Sequence, residues 1–267
     1  MMDRFEALSE LAADYARIQE VEAILLAGSA ASGAFDEASD FDVYIYATAP
    51  VPLAARQELA ARHMSYVELD NRYWEPEDDG ILKCGTPIDL VYRDSAWIEE
   101  HLKHLLVEGQ SSIGFTTCFW GNLLNSRILF DRNGRFASLK ERYTLPYPPH
   151  LRAGIIQKNR ELLKGKLPAY YDQIKKAINR QDRVSINHRI AAFLASYFDI
   201  LFAINEVVHP GEKRLVALAQ ANCRNVPKNF QSDIDLLLTL SGTASPDILE
   251  ALNTLILHLD ELIDSQA

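Results

Sequence analysis

Two apolar runs, separated by a polar segment, constrain the fold of this chain more than any other feature. The first run, Val21–Ala27, stops at the dipeptide Gly28-Ser29, and the second, Phe41–Ala47, begins beside two aspartates, Asp40 and Asp42. The β-branched and aromatic content of the second run is typical of a strand. Residues two apart in a strand lie on the same face, so the two aspartates are expected to converge on one point.

The aspartate pair and the Gly-Ser turn predict complementary parts of a phosphate site. Carboxylate oxygens are the ligands that Mg²⁺ prefers, and bound Mg²⁺ commonly also holds substrate phosphates. Gly28 lets the backbone approach a ligand closely, while N–H groups and the hydroxyl of Ser29 can cradle phosphate oxygens. A third carboxylate, Asp89, lies in the apolar run Ile88–Tyr92. An aspartate in such a run would be costly without a cation or hydrogen-bond donors, so Asp89 is expected to join the site.

The chain divides into a strand-rich part and a helical part at its one proline-rich stretch, Leu145–His150. Closely spaced prolines are poorly tolerated in helices and strands, which places a domain boundary there. The prediction is an α+β protein: a small mixed β-sheet domain over residues 1–145, followed by an all-α helical bundle over residues 146–267. With 48% apolar and 24% charged residues, the chain has the composition of a globular protein.

Hydrophobic periodicity and turn signals predict the individual elements. In the first part these are helices 3–19, 52–62 and 95–107, and strands 21–27, 41–47, 64–69, 81–84, 88–92 and 127–130. In the second part they are helices 150–165, 169–181, 183–207, 212–222, 228–240 and 246–264.

The Gly-Ser turn, the Asp-x-Asp pair and a later strand aspartate, in this order, resemble the signature of the nucleotidyltransferase superfamily related to DNA polymerase beta. The helical second half resembles, more narrowly, the antibiotic adenylyltransferases of the kanamycin and streptomycin type. The match is to their pattern rather than to one member, which favours an uncharacterised bacterial branch. In that family the substrate lies in a cleft, so the resemblance implies that residues 146–267 form its other wall.

The resemblance implies a role for each candidate residue. Asp40 and Asp42 would hold two Mg²⁺ ions that bridge the triphosphate of the donor, most simply ATP. Asp89 would complete the metal site and accept the proton of the attacking hydroxyl. Gly28 and Ser29 would bind the phosphates. The implied reaction transfers a nucleoside monophosphate, AMP from ATP, to a hydroxyl of a small-molecule acceptor and releases pyrophosphate.

A basic residue from the helical part is expected to neutralise the remaining charge of the triphosphate. Lys213 is the candidate, because streptomycin-type enzymes deliver a lysine from a comparable helix-turn-helix segment. Lys158 and Arg160 are rival cations, and a solvated position at a helix start is an equally good interpretation of Lys213.

Charge and composition bear on the partners. The formal net charge of −10 disfavours binding to nucleic acid and is compatible with a cationic acceptor. The acidic segment Trp74–Asp79 could attract such an acceptor, although a solvated hairpin tip is the more common explanation. Three scattered cysteines, together with the lack of a signal or membrane-spanning segment in the sequence, favour the cytoplasm.

Two alternatives to a small-molecule acceptor stay open. One is the same chemistry on a protein or tRNA acceptor. The other is a non-catalytic, nucleotidyltransferase-like partner of a toxin–antitoxin pair, although the long helical half favours an enzyme with a cleft. Some members of the family build their site across a dimer, so the resemblance leaves a homodimer open.

Overall fold

The structure is a computed structural model and describes residues 3–28 and 39–266. Within them the chain divides into two compact units. The first comprises Met1–Lys103 and Asn122–Leu145, and the second comprises His104–Gly121 and Pro146–Ala267. The chain therefore also changes unit at 103/104 and 121/122, where the sequence carries no boundary signal.

The first unit contains a six-stranded mixed sheet in the order β3-β4-β5-β2-β1-β6. Its strands are β1 (Val21–Leu26), β2 (Phe41–Ala47), β3 (Met64–Asn71), β4 (Glu77–Leu82), β5 (Pro87–Asp94) and β6 (Arg127–Asp131). Strands β2 and β5 pair in parallel, and all other neighbouring strands pair antiparallel. The predicted mixed sheet is confirmed. Its helices are α1 (Arg4–Tyr15), α2 (Leu53–His63), α3 (Ser95–Leu102) and α5 (Arg135–Tyr143), and α4 (Cys118–Asn125) has residues in both units.

Two predictions for the first unit are wrong in detail. Strand β4 begins at Glu77, not at residue 81, so three acidic residues assigned to a loop are in the sheet. The helix predicted over 95–107 ends as an α-helix at Leu102 and continues as a π-helical turn, Lys103–Val107. Helices α4 and α5 were not predicted.

The apolar residues of the first unit form one core around the sheet. Leu8, Leu11 and Tyr15 on α1 pack with Leu59 on α2 and with inward residues of the central strands such as Ile45. Burial of these side chains is the main stabilising contribution. It holds β2 and β5, the two strands that carry the candidate carboxylates, at the centre of the sheet.

The second unit is all helical within the described residues, which confirms the helical C-terminal part. Its helices are α6 (Pro149–Arg160, extended by a π-helical turn at Glu161–Gly165), α7 (Tyr170–Asn179), α8 (Arg183–Ile204), α9 (Leu215–Asn222), α10 (Phe230–Ser241) and α11 (Asp247–Ser265). The long helix α8 is at the centre of the core, and its residues Phe193, Tyr197, Phe198, Leu201 and Phe202 are buried. None of the helices in the described part of the chain is long and apolar enough to cross a membrane.

Buried polar residues explain why the segment 104–121 belongs to the second unit. Asp199 on α8 accepts hydrogen bonds from the backbone N–H and the hydroxyl of Thr116, at 3.0 and 2.6 Å. Asn159 on α6 accepts from the N–H of Gly114 at 3.0 Å. Burial raises the pKa of Asp199 to about 6, and the hydrogen bonds from Thr116 and from Nδ2 of Asn159 oppose the rise. Such pairings join residues far apart in sequence, and no local pattern announces them.

Candidate functional site

Three aspartates that the sequence singled out lie together at one end of strands β2 and β5. The parallel register pairs Asp42 directly with Asp89, and paired residues on adjacent strands share a face of the sheet. Asp40 precedes β2 by one residue and is two residues from Asp42. One ligand oxygen from each of the three side chains lies within 4.8 Å of the others. All three residues are half-buried.

Gly28 is packed against the carboxylate of Asp42. Its φ is +60°, and a Cβ at this position would be 1.7 Å from Oδ2 of Asp42. The preceding residue donates from the N–H of Ala27 to the backbone oxygen of Asp42 at 2.8 Å. Glycine is needed here for two reasons, because other residues rarely adopt this φ and because the space of a side chain is filled by the carboxylate. Ser29, the predicted phosphate ligand beside it, lies outside the described residues.

A fourth carboxylate, Asp79, extends the group along the sheet. The antiparallel register of β4 and β5 pairs Asp79 with Asp89, so Asp89 has an aspartate on each neighbouring strand. The Nδ2 of Asn71 on β3 donates to Oδ2 of Asp79 at 2.8 Å. We name Asp42, Asp89 and Asp79, with Asp40 beside Asp42, the acidic row. Sequence reasoning missed Asp79 because Glu77–Asp79 was interpreted as loop. The i, i+2 spacing of Glu77 and Asp79 was the available signal.

The acidic row is electrostatically frustrated without a cation. Burial, the largest cause, and the charges of Asp79, Asp40, Asp42 and Glu77, in that order, together raise the pKa of Asp89 to about 6. The four charged neighbours with the largest effect on Asp89 are thus all acids. Like charges at this separation disfavour joint ionisation, and a bound cation relieves the repulsion.

The donor set of the acidic row fits a hard divalent cation. Asp40, Asp42 and Asp89 offer carboxylate oxygens alone, and no cysteine or histidine belongs to this group. Oxygen-only ligation suits Mg²⁺ or Mn²⁺ rather than zinc or copper. The three residues are sufficient to hold such an ion, with the remaining positions left to substrate oxygens and water.

The three candidate cations of the second unit have different surroundings. Lys213 is exposed in the turn before α9, which begins at Leu215 rather than at residue 212 as predicted. Lys158 donates to the backbone oxygen of Ser111. Arg160 pairs with Asp260 through Nε and Nη2, at 2.7 and 2.9 Å. The two rivals therefore already have partners, and nucleotide binding by Lys213 stays a prediction.

The acidic segment 74–79 has two distinct parts. Tyr73 and Trp74 form an exposed tip, and each is 89% accessible. Glu75 pairs with the guanidinium of Arg93 at 2.6 and 2.7 Å. The following residues enter β4, where Asp79 joins the acidic row. The segment is a solvated tip only in its first half.

Comparisons with known proteins give remote similarities. A family model described as a domain of unknown function (DUF4037) matches residues 121–215. No curated protein matches the chain. A nucleotidyltransferase-like protein from Exiguobacterium sibiricum 255-15 is similar over 98% of this chain and 74% of its own, with 11% identity and a TM-score of 0.44. The Thermotoga maritima CCA-adding enzyme, solved in complex with tRNA, is similar over 100% of this chain and 82% of its own, with 11% identity and a TM-score of 0.32. These TM-scores are too low to support a function, which has to be inferred from the residues of the site.

Proposed function

We propose that this protein is a divalent-metal-dependent nucleotidyltransferase that transfers AMP from ATP to a hydroxyl of a small molecule. The observation that carries the proposal is the convergence of Asp40, Asp42 and Asp89 within 4.8 Å, with Gly28 packed against Asp42. Four residues from three separate segments thereby form one anionic site at one end of strands β2 and β5. A glycine whose missing side chain makes room for a carboxylate is a requirement of the site rather than of the fold.

The residues divide the work as follows. Asp40 and Asp42 would hold Mg²⁺, with Asp89 as the third ligand. When bound, the metal supplies positive charge to the phosphate oxygens of the donor. Gly28 leaves room for the carboxylate of Asp42, and its own contact with a phosphate stays a prediction.

Asp89 also has the properties of a proton acceptor. It is the member of the acidic row with an aspartate on each neighbouring strand, and a carboxylate within reach of the acceptor hydroxyl can accept its proton. In the proposed reaction the acceptor oxygen forms a bond to the α-phosphorus and the bond from that phosphorus to the β-phosphate oxygen breaks. The hydroxyl proton passes to Asp89, and pyrophosphate leaves.

Nucleotide binding by charge-neutral variants tests the proposal directly. Thermal unfolding of the full chain is measured with Mg²⁺ and each of the four nucleoside triphosphates, since a specific ligand stabilises in proportion to its occupancy. We expect a shift with ATP that Asp40→Asn and Asp42→Asn remove. Asp3→Asn is the matched control: Asp3 caps α1, and asparagine caps a helix equally well. No shift with any nucleotide contradicts the proposal and favours a non-catalytic binding partner, and an undiminished shift in both variants contradicts the metal assignment.

The acceptor is identified by where the label goes. After incubation with ATP labelled at the α-phosphate, label in a small-molecule fraction supports the proposal. Label on protein or on RNA retains the nucleotidyl transfer but replaces the acceptor. The net charge of −10 favours the first outcome over RNA, because a strongly negative protein repels a polyanion.

A further inference from the structure

A cavity of about 370 Å³ lies in the second unit, beside the ends of three helices. It is lined by the first half of α6, the last residue of α8 and the C-terminal end of α11. Its apolar walls are Pro149, Ala153, Ile156, Ile204 and Ile263. Ligand pockets have volumes of roughly 300–1,000 Å³ and are mostly apolar, with a few polar groups. The cavity therefore has the size and the walls of a site for a small molecule.

Arg152, on the first turn of α6, is the charged residue of this lining. It is half-buried, whereas every other lysine and arginine in the described part of the second unit is exposed. None of the described residues that line the cavity is acidic. The cavity therefore combines apolar walls with one positive charge that its lining does not balance.

The guanidinium group of Arg152 has no hydrogen-bond or ion-pair partner among the described residues. Arg160, two turns further along α6, instead pairs with Asp260 through Nε and Nη2. Of the three guanidinium nitrogens of Arg152 only Nε is buried, so Nη1 and Nη2 are the accessible donors. A charge that is partly removed from water without a counter-ion is unfavourable. An anion that reaches Nη1 and Nη2 would relieve this cost.

The chemistry of this lining selects the head group of the ligand. The planar guanidinium matches a carboxylate, because both can form two parallel hydrogen bonds. A carboxylate carries one negative charge, which equals the single charge of Arg152, whereas a phosphate monoester carries about −1.5 to −2 at pH 7. The formal net charge of −10 of the whole chain further disfavours the more highly charged group.

We propose that this cavity binds a small organic carboxylate with an apolar body. The carboxylate accepts hydrogen bonds from Nη1 and Nη2 of Arg152, and the apolar body packs against Ile156, Ile204 and Ile263. All of these residues belong to the second unit, whereas the acidic row belongs to the first. The carboxylate site is therefore independent of the proposed nucleotidyl transfer and has its own test.

Four probes separate the parts of the proposal. Octanoate has the carboxylate and an apolar chain, 1-octanol lacks the charge, acetate lacks the chain, and octyl phosphate changes the head group. Their dissociation constants for the full chain are measured by ligand-observed NMR titration. We expect octanoate to bind at least tenfold more tightly than each of the other three. Equal binding of 1-octanol contradicts the role of the charge, equal binding of acetate contradicts the role of the apolar walls, and tighter binding of octyl phosphate contradicts the choice of carboxylate. Failure of octanoate to bind overturns the site.

Two variants locate the bound octanoate. Arg152→Gln removes the charge and is expected to weaken octanoate binding at least tenfold while 1-octanol is unaffected. Ala153→Trp places a large side chain in the cavity from an exposed position of its lining and should weaken binding by a similar factor. The matched controls are Arg189→Gln and Ala191→Trp, which change exposed residues of α8 outside the lining and should leave binding unchanged.

The stability of the variant without ligand gives a second readout for Arg152. Because Arg152→Gln removes a half-buried charge that has no partner, its thermal unfolding temperature should equal or exceed that of the wild type. A clearly lower temperature would mean that Arg152 already has a structural partner, which contradicts the proposal. Unchanged octanoate binding to Arg152→Gln or to Ala153→Trp overturns the carboxylate site and leaves the proposed function untouched.

Discussion

Asp78 and Asp79 are neighbours in β4 and face opposite sides of the sheet, and their surroundings differ completely. Asp78 is 1% exposed and accepts hydrogen bonds from Nη1 of Arg56, the N–H of Asp70 and the hydroxyl of Tyr92, at 3.2, 2.8 and 2.7 Å. Asp79 is half-buried and accepts from the amide of Asn71 while it faces Asp89 across the strand pair.

The two faces therefore treat the same side chain in different ways. On one face the fold surrounds a carboxylate with donors, as a buried charge requires for stability. On the other face the fold places carboxylates beside one another, and their repulsion lowers its stability. This arrangement is explained if a bound cation supplies the compensating positive charge. Variants on each face of the sheet test this difference, and loss of the Asp89 charge is expected to have the largest effect.

Removing the central charge of the acidic row should abolish the reaction and leave the fold intact. We expect Asp89→Asn to lower AMP transfer by about 10²–10⁴-fold, the range for loss of a general base, because it removes a proton acceptor and a metal ligand together. Its thermal stability without metal should equal or exceed that of the wild type, since repulsion with Asp42 and Asp79 is relieved. Transfer is measured as release of pyrophosphate, and stability by thermal unfolding in EDTA. A strong loss of stability in Asp89→Asn would mean that the acidic row is structural.

The opposite face should respond in the opposite way. Asp78→Ala leaves Arg56 buried with one of its two carboxylate partners removed, and breaking a buried pair in this way costs about 3–5 kcal/mol. The same change at the neighbouring residue, Asp79→Ala, is the control and should cost about 1 kcal/mol or less, the typical value of one hydrogen bond. Both are measured by urea unfolding. Equal losses would erase the distinction between the faces.

Sequence patterns predicted the parts of this site that are local. The run Phe41–Ala47 has the strand period and composition, and the structure gives β2 these bounds. The i, i+2 spacing of Asp40 and Asp42, and the position of Asp89 in a second apolar run, were enough to predict that the three converge. The parallel pairing of β2 and β5 was not predicted, although it sets the register that brings Asp89 to Asp42.

The parts that sequence reasoning missed depend on distant contacts. Acidic residues are depleted in strands, so Glu77–Asp79 was interpreted as loop. Asp78 is tolerated in β4 because Arg56, from α2, supplies the opposite charge and Asp70 and Tyr92 supply further donors.

A variant of Gly28 tests whether metal binding by the acidic row depends on the close contact between Gly28 and Asp42. In Gly28→Ala the new methyl group would meet Oδ2 of Asp42, so the carboxylate must turn away from its partners. We expect the affinity for Mn²⁺, measured by calorimetry, to fall by roughly tenfold or more, as for loss of a group that orients metal ligands. Gly134→Ala is the control, because Gly134 has a similar φ of +68° but open space around it. Equal Mn²⁺ affinity in both variants would mean that Asp42 is not held by this contact.

The last expected effect is a pH dependence of the stability that comes from Asp89. The pKa of Asp89 is raised from 3.8 to about 6, so in this interval the folded protein holds a proton that the unfolded chain releases. The stability that Asp89 contributes is therefore fully present below about pH 4 and is lost as the pH rises through about 6. Measured in EDTA, the stability of the wild type relative to Asp89→Asn should fall over this range.

Comparison with the variant isolates the acidic row, because Asp199 and His209 are present in both proteins and their contributions cancel in the difference. Mg²⁺ binds the charged form of the acidic row, so its addition should flatten the curve at the high-pH end. If the stabilities of the wild type and Asp89→Asn in EDTA change with pH in the same way, the neighbouring acids do not raise the pKa of Asp89. Asp42, Asp89 and Asp79 would then lie close together without measurable repulsion, and repulsion would give no reason to expect a bound cation.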